Sequence, residues 1–183
     1  TINNVETLCA IPHIVKNGGE WYRQWGTEKS PGTKLFCVSG HVIKPGNYEL
    51  PLGFPLIELI EDVCGGMKDG NALKAVIPGG SSVPLINAEE ARACKLDYEG
   101  CVDVGTMLGC ASVIVMDEAT DIVKQVRRMV DFYAHESCGQ CTPCREGTTG
   151  TAQIPRRIES GHGHEDEPDT LIEMAALALA HTC

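Results

Sequence analysis

Three cysteines, Cys138, Cys141 and Cys144, each separated from the next by two residues, lie in the string Glu136-Ser-Cys138-Gly-Gln-Cys141-Thr-Pro-Cys144-Arg-Glu-Gly147. That spacing lets one tight loop wrap an iron–sulfur cubane and offer a thiolate to three of its corners. Gly139, Thr142 and Pro143 are small or turn-forming, which suits the wrapping. A structural zinc site more naturally uses separated C-x2-C pairs, or Cys with His. A dithiol redox motif needs no third cysteine. The run therefore reads as three ligands of a [4Fe–4S] cluster, with structural zinc as the alternative.

A fourth ligand has to come from elsewhere, and Cys183 is the candidate with a geometric argument behind it. Residues 145–159 and 169–180 read as helices of about 22 and 18 Å. Joined by the polar loop 160–168, they form an antiparallel hairpin that returns Cys183 to the level of Cys144. Cys110, which follows a glycine in a loop, is the weaker rival. Cys9, Cys37, Cys64, Cys94 and Cys101 sit in apolar or helical patterns and read as small buried residues. Arg145 either offsets thiolate charge or belongs to a solvated helix start. His181 reads as a surface residue at a helix end, and His162 and His164 as part of a solvated acidic loop.

The elements that position this run follow from the pattern upstream. Asn3 and Asn4 can cap a helix carrying Val5, Leu8, Ile11 and Val15 at helical spacing, ended at Gly18-Gly19. Residues 26–32 form a polar linker. Residues 34–42 read as a strand, 44–47 as a turn and 48–50 as the return strand. A short amphipathic helix over 55–63 buries Leu56, Leu59, Ile60 and Val63, and Gly65-Gly66 ends it. Residues 73–77 form another strand, followed by the tight turn at 78–82. Residues 113–116 make a buried strand after a glycine-punctuated loop. Hairpin, helix and strand in that order describe a small β-grasp sheet. From 117 onward the chain is helical, with Asp117 or Thr120 as cap and Ile122, Val126, Met129, Val130 and Tyr133 on one face. Pro155 should kink or shorten the first hairpin helix, at about 3 kcal/mol if the helix continues. The fold class is α+β, with boundaries at 1–30, 31–116 and 117–183.

Composition narrows the function. Lys plus Arg is 15 against 25 Asp plus Glu, a net charge of −10, which argues against nucleic acid because phosphate binding needs a basic face. Ten cysteines in 183 residues fall short of a disulfide scaffold. The longest apolar runs are too short to cross a bilayer. No secretory leader is visible, so a reducing cytoplasm is expected, where clustered cysteines serve metal or redox chemistry. The chain begins at Thr1 within a patterned segment and stops at Cys183 straight after a helix, and so reads as a fragment.

The string at 136–147 resembles the cluster loop of the NADH-binding flavoprotein subunit of respiratory complex I, the NADH:quinone oxidoreductase. It is also similar to the diaphorase subunits of NAD-reducing hydrogenases and NAD-dependent formate dehydrogenases. Ile2-Asn-Asn-Val-Glu-Thr-Leu8, Ile77-Pro-Gly-Gly-Ser-Ser82 and Met107-Leu-Gly109 leading into Val113-Ile-Val-Met-Asp-Glu118 fit as well. The resemblance implies the tail of an FMN-binding α/β domain, a β-grasp domain of the soluble ligand-binding type, and a C-terminal helical bundle holding one [4Fe–4S] cluster. It implies that NADH delivers hydride to FMN and that electrons leave through the cluster to other subunits, among them a thioredoxin-like [2Fe–2S] subunit and a larger iron–sulfur subunit. Asn3 and Asn4, and more loosely Thr7, would then touch FMN; helix capping is the reading of the two asparagines without the family. The family's glycine-rich FMN and NADH loops are absent here, so this chain alone should not turn over NADH. The resemblance further implies a cytoplasmic place in the peripheral arm of a membrane-associated complex, or in a soluble one.

Overall fold

A computed structural model describes residues 1–181, with side chains described through 176. The chain divides into two compact units, Thr1–Ala119 and Thr120–Cys183.

The first unit is built on a five-stranded sheet. β1 (Thr33–Gly40) and β2 (Gly46–Pro51) form an antiparallel hairpin, as the turn at 44–47 requires. β7 (Ser112–Asp117) lies parallel to β1 and antiparallel to β4 (Leu73–Ile77). The two-residue β5 (Ile86–Asn87) closes the far edge. The strand order is therefore β2-β1-β7-β4-β5, with β7 at the centre. Burial alternates along β1, with Phe36 and Val38 inside and Leu35, Cys37 and Ser39 outside. That alternation is the period of a strand with one covered face.

The cover is α3 (Leu56–Glu58), which continues as a π turn through Leu59–Val63. Leu56, Leu59 and Ile60 are fully buried with Phe36, Val76, Val113 and Val115. Each such side chain contributes about 1.5–3 kcal/mol of burial.

Two further helices lie between β5 and β7, in a stretch where the sequence reading placed no elements. A capping box starts α4 (Ala88–Ala93): Asn87 Oδ1 accepts from the Glu89 and Glu90 N–H groups at 2.9 and 3.0 Å. Glu90 accepts in return from the Asn87 N–H at 2.8 Å. The two-residue β6 (Lys95–Leu96) pairs with β3 (Phe54–Pro55). Asp97 then caps α5 (Tyr98–Asp103) through the Gly100 N–H at 2.6 Å.

The turn after β4 lies directly against the loop before β7. Gly80 N–H donates to the Ser112 carbonyl at 2.8 Å, and Cys110 N–H donates to the Gly79 carbonyl at 3.1 Å. A Cβ on Gly79 would lie 2.5 Å from the Leu108 oxygen, so only glycine permits this approach. The turn is thus packed on backbone.

At the N-terminus, α1 (Val5–Asn17) is capped by Asn4, whose Oδ1 accepts from the Glu6 N–H at 2.8 Å. Glu6 holds α1 to β1 through Lys34 Nζ at 2.9 Å and the Leu35 N–H at 2.7 Å. A short α2 (Gly19–Arg23) follows. Two expectations about buried cysteines fail: Cys9 and Cys37 are exposed, because α1 buries no residue and Cys37 lies on the outer face of β1. Cys64, Cys94 and Cys101 are buried as expected.

The second unit is three helices, α6 (Ile122–Glu136), α7 (Thr142–Glu159) and α8 (Glu167–His181). The cap of α6 is Asp121, whose Oδ1 accepts from the Lys124 N–H at 3.1 Å, in place of Asp117 or Thr120. Asp117 instead ends β7, where its carboxylate accepts from Asn71 Nδ2 at 2.8 Å. Helix α7 starts three residues earlier than expected and continues through Pro155 to Glu159. The missing N–H of Pro155 therefore costs one ladder bond without ending the helix, and its ring is buried beside Ala152 and Ile154.

Gly79→Ala should destabilise the sheet unit by about 1–3 kcal/mol, the usual range for forcing extra atoms into a packed contact. Chemical denaturation monitored on the Thr1–Ala119 unit measures it; an unchanged midpoint would show that the turn has room to move.

Candidate metal centre

The cysteine run bridges two antiparallel helices. Arg127 near the start of α6 pairs with Glu159 at the end of α7, and Asp131 pairs with Arg156 Nη2 at 2.7 Å. Arg127 also reaches Asp131 at 3.5 Å, so four charges form one alternating network. Charges of opposite sign at those positions favour this pairing of α6 and α7, to which the buried Ala152, Ile154 and Pro155 of α7 add apolar packing.

That turn is residues 137–141. Ser137 ends α6, its N–H donating to the Tyr133 carbonyl at 3.1 Å. Its hydroxyl accepts from the Gly139 N–H at 3.3 Å and lies 3.4 Å from Cys144 Sγ. Gly139 takes a positive φ of 76°, which reverses the chain after Cys138. Cys141 is the N-cap of α7, and its carbonyl accepts from the Arg145 N–H at 2.9 Å. Pro143 occupies the first turn, where no intrahelical N–H is needed. Arg145 Nη1 donates back to the Gly139 carbonyl at 2.8 Å, and its Nε meets Glu146 at 2.8 Å. Arg145 is thus a strap across the loop, a contact that neither of its sequence readings anticipated.

The three cysteines occupy three different backbone settings. Cys138 is in the turn and exposed; Cys141 caps α7; Cys144 lies in its first turn, and both are half-buried. None is in a disulfide. The exposed N–H groups at a helix N-terminus favour negative charge, which suits thiolate ligands. Among the described residues, no three Cys, His, Asp or Glu side chains meet as a metal-ligating group. Cys183 lies outside the described residues, and the His181 side chain does as well. The donors present fit an iron–sulfur group in kind: three soft sulfurs on one loop at one helix start, with the fourth still to be supplied.

Helix α8 returns along α7. Arg157 pairs with Glu167 at the hinge, and a Cβ on Gly150 would lie 2.9 Å from Met174 Cε. Arg157 to Gly150 and Glu167 to Met174 are equal steps in opposite senses, so the two helices are antiparallel. Glu167 is 4% exposed and also accepts from the His164 N–H at 3.1 Å. Burial opposes its charge, yet the Arg157 hydrogen bond, the His164 N–H and the charges of Arg157 and His164 outweigh it and hold the carboxyl below its usual range. His162 is exposed, with Nδ1 3.2 Å from the Ser160 hydroxyl.

The remaining candidates lie in the first unit. Asn4 is a helix cap, as its reading from residues alone expected, while Asn3 and Thr7 are exposed beside it. Cys110 bonds the Gly79 carbonyl and the Ser112 hydroxyl, both at 3.3 Å. Ser137 is the residue that sequence reasoning passed over; a serine two before a glycine, at the end of an apolar helix, is the signal that marks it.

Residues 124–183 match the NADH-ubiquinone oxidoreductase-F iron-sulfur binding region, and residues 34–123 match the SLBB domain. The second NADH-quinone oxidoreductase F protein of Rhizobium meliloti is 49% identical over 170 residues, 93% of this chain and 40% of the relative. The mitochondrial NADH-ubiquinone oxidoreductase 51 kDa subunit of Neurospora crassa is 46% identical over 183 residues, 100% of this chain and 37% of the relative. The chain of a crystallised NAD+-reducing [NiFe]-hydrogenase in its H2-reduced state superposes with a TM-score of 0.81 at 39% identity, covering 95% of this chain and 29% of that one. The chain thus spans about two fifths of the length of the curated relatives it matches.

Because Glu167 has a lowered pKa, its contribution is present above the ordinary value of 4.5 and is lost as the pH falls below that value and through the folded one. Hydrogen-exchange protection factors at residues 167–176 should fall over that acid range. Glu167→Gln should exchange fast at neutral pH and lose the acid dependence; an unchanged acid limb in that variant would assign the effect to another carboxylate.

Proposed function

This chain belongs to the family of the NADH-quinone oxidoreductase F proteins, carrying their iron–sulfur binding region and an SLBB domain, and from that premise we propose that it is the electron-relay portion of an NADH-oxidising flavoprotein. The observation that carries the reading is the cysteine loop at the start of α7, inside the segment matched by the iron–sulfur region. Cys138, Cys141 and Cys144 are three ligands of a [4Fe–4S] cluster. Cys183 is the fourth, a reading supported by the antiparallel course of α8, which sets Glu167 against Arg157 and Met174 against Gly150 and so runs back towards the cysteine loop. Such a cluster supplies one-electron transfer.

The chain's own residues present the ligands. Ser137 ties the end of α6 to Cys144, and Arg145 clamps the Gly139 carbonyl. Hydrogen bonds of this kind orient the ligands and lower the cost of assembling them. The acidic balance of the chain sits opposite the demands of a nucleic-acid binder.

Residues 1–30 are the end of an FMN-binding domain, 31–116 a β-grasp domain and 117–183 the helical cluster domain. The hairpin, the covering helix and the SLBB match support the second. Asn3, with Asn4 and Thr7, faces FMN, whose hydride donor is NADH. Electrons pass to a thioredoxin-like [2Fe–2S] partner and a larger iron–sulfur partner in a peripheral arm. No helix among the described residues is long and apolar enough to cross a membrane. Service in a NAD-reducing hydrogenase is the second reading, favoured by the likeness to the hydrogenase chain; it stands second because identity to the quinone-oxidoreductase relatives is higher.

Anaerobic reconstitution with iron and sulfide should load about four irons per chain. Cys138→Ser, Cys141→Ser, Cys144→Ser and Cys183→Ser should each lower that loading, and Ser137→Ala should weaken iron retention against a chelator by about 10–100-fold. Stoichiometric zinc with no reducible paramagnetic signal would sink the relay and leave a structural metal site.

A further inference from the structure

Two cysteines outside the metal loop meet in the core of the sheet unit. Cys94 ends α4, its N–H donating to the Glu90 carbonyl at 3.0 Å, and Cys101 lies in α5, its N–H donating to the Asp97 carbonyl at 3.2 Å. Their sulfurs are 4.0 Å apart, and both thiols point at the Lys95 carbonyl, at 3.7 and 3.6 Å. They are 1% and 0% exposed.

The backbone around them is held tightly. Leu56 N–H donates to the Cys94 carbonyl, and Gly53 N–H to that of Leu96, each at 3.0 Å. A Cβ on Gly100 would lie 2.8 Å from Lys95 backbone and side-chain atoms, so α5 folds directly back onto β6. A disulfide needs its sulfurs about 2 Å apart, so the pair must close by about 2 Å, within reach of small side-chain rotations.

We propose that Cys94 and Cys101 form a thiol–disulfide modification site, oxidised by a small peroxide. The neighbouring Cys101 thiol holds Cys94 below the usual thiol range, and the contact with Cys94 together with burial pushes Cys101 up. Once the segment opens, the Cys94 thiol gives up its proton and attacks, with the Cys101 sulfur 4.0 Å away to resolve it. Its thiolate takes one peroxide oxygen as the O–O bond breaks, leaving a sulfenic acid and, with the displaced proton, one water. The Cys101 sulfur then attacks Cys94, the S–O bond breaks, and hydroxide leaves with the Cys101 proton as a second water. Two thiols and one peroxide give one disulfide and two waters, with two electrons passing from sulfur to oxygen.

Burial sets the rate. The thiols are closed to solvent, so oxidation follows local opening of the segment, whose neighbours Tyr98 and Val102 are exposed. Once formed, the bridge joins the end of α4 to α5 and opposes that opening.

Trypsin provides the readout, because Lys95 lies between the two cysteines. Cleavage after Arg92 and Lys95 separates a tripeptide at 93–95 from the peptide at 96–124, unless a disulfide joins them. The full chain, treated with hydrogen peroxide, alkylated in denaturant and digested, should keep the tripeptide attached until reductant is added. The same treatment in denaturant should cut the yield of that linked peptide several-fold. The long peptide also carries Cys110, so fragment sequencing of the wild-type linked peptide must place the bond on Cys101; Cys110→Ser should keep the link and Cys101→Ala should lose it. Release of an alkylated tripeptide from the oxidised folded chain, or a link mapped to Cys110, overturns the proposal without reference to how the variants fold.

Discussion

The helical unit is organised by a buried carboxylate. Glu167 begins α8 with only 4% of its surface exposed, and a carboxylate in that position has to be paired and hydrogen-bonded. Arg157 and the His164 N–H supply the pairing from the end of α7 and from the hinge loop. That one clasp sets where α8 starts relative to α7. Everything further along α8 inherits the register, because two straight helices advance by the same rise per residue. The clasp therefore sets the register in which Met174 meets Gly150.

At the opposite end of the bundle the constraint is the turn at 137–141. The charge network of Arg127, Asp131, Arg156 and Glu159 aligns α6 with α7, and the short connection leaves little freedom. Ser137 and Arg145 use that remaining freedom up, one from each side of the loop. The sheet unit follows a different logic. Its centre is β7, buried on β1 and β4, and the chain enters that strand only by passing Gly79 and Gly80 at backbone contact distance. The tight turn at 78–82 is taken up by that packing.

Local signals were legible where one residue sufficed to decide them. The hairpin turn at 44–47, the apolar spacing of Leu56, Leu59 and Ile60, and Asn4 as a cap all follow from residues a few positions apart. Other features were set by choices between near-equals. Asp121, Thr120 and Asp117 are all able to cap α6; Asn71 engages Asp117, and the chain leaves Asp121 at the helix start. The segment at 87–103 has the asparagine and glutamate of a capping box, yet its helices are too short for periodicity to reveal them. Cys9 and Cys37 carry an apolar side chain whose exposure depends on which face the neighbours cover.

The sequence by itself determined the chemistry: three cysteines at two-residue intervals, a glycine and a proline to turn the loop, and strands and helices of fixed period on either side. Those properties depend on bonds and contacts within a few residues, and spacing records them. Only the tertiary structure decided that α7 runs on through Pro155, where burial of the ring offsets the lost ladder bond. Only it set Glu167 on Arg157, and Cys94 against Cys101. Those pairings depend on how separate elements settle against each other, and neither period nor propensity carries that distance.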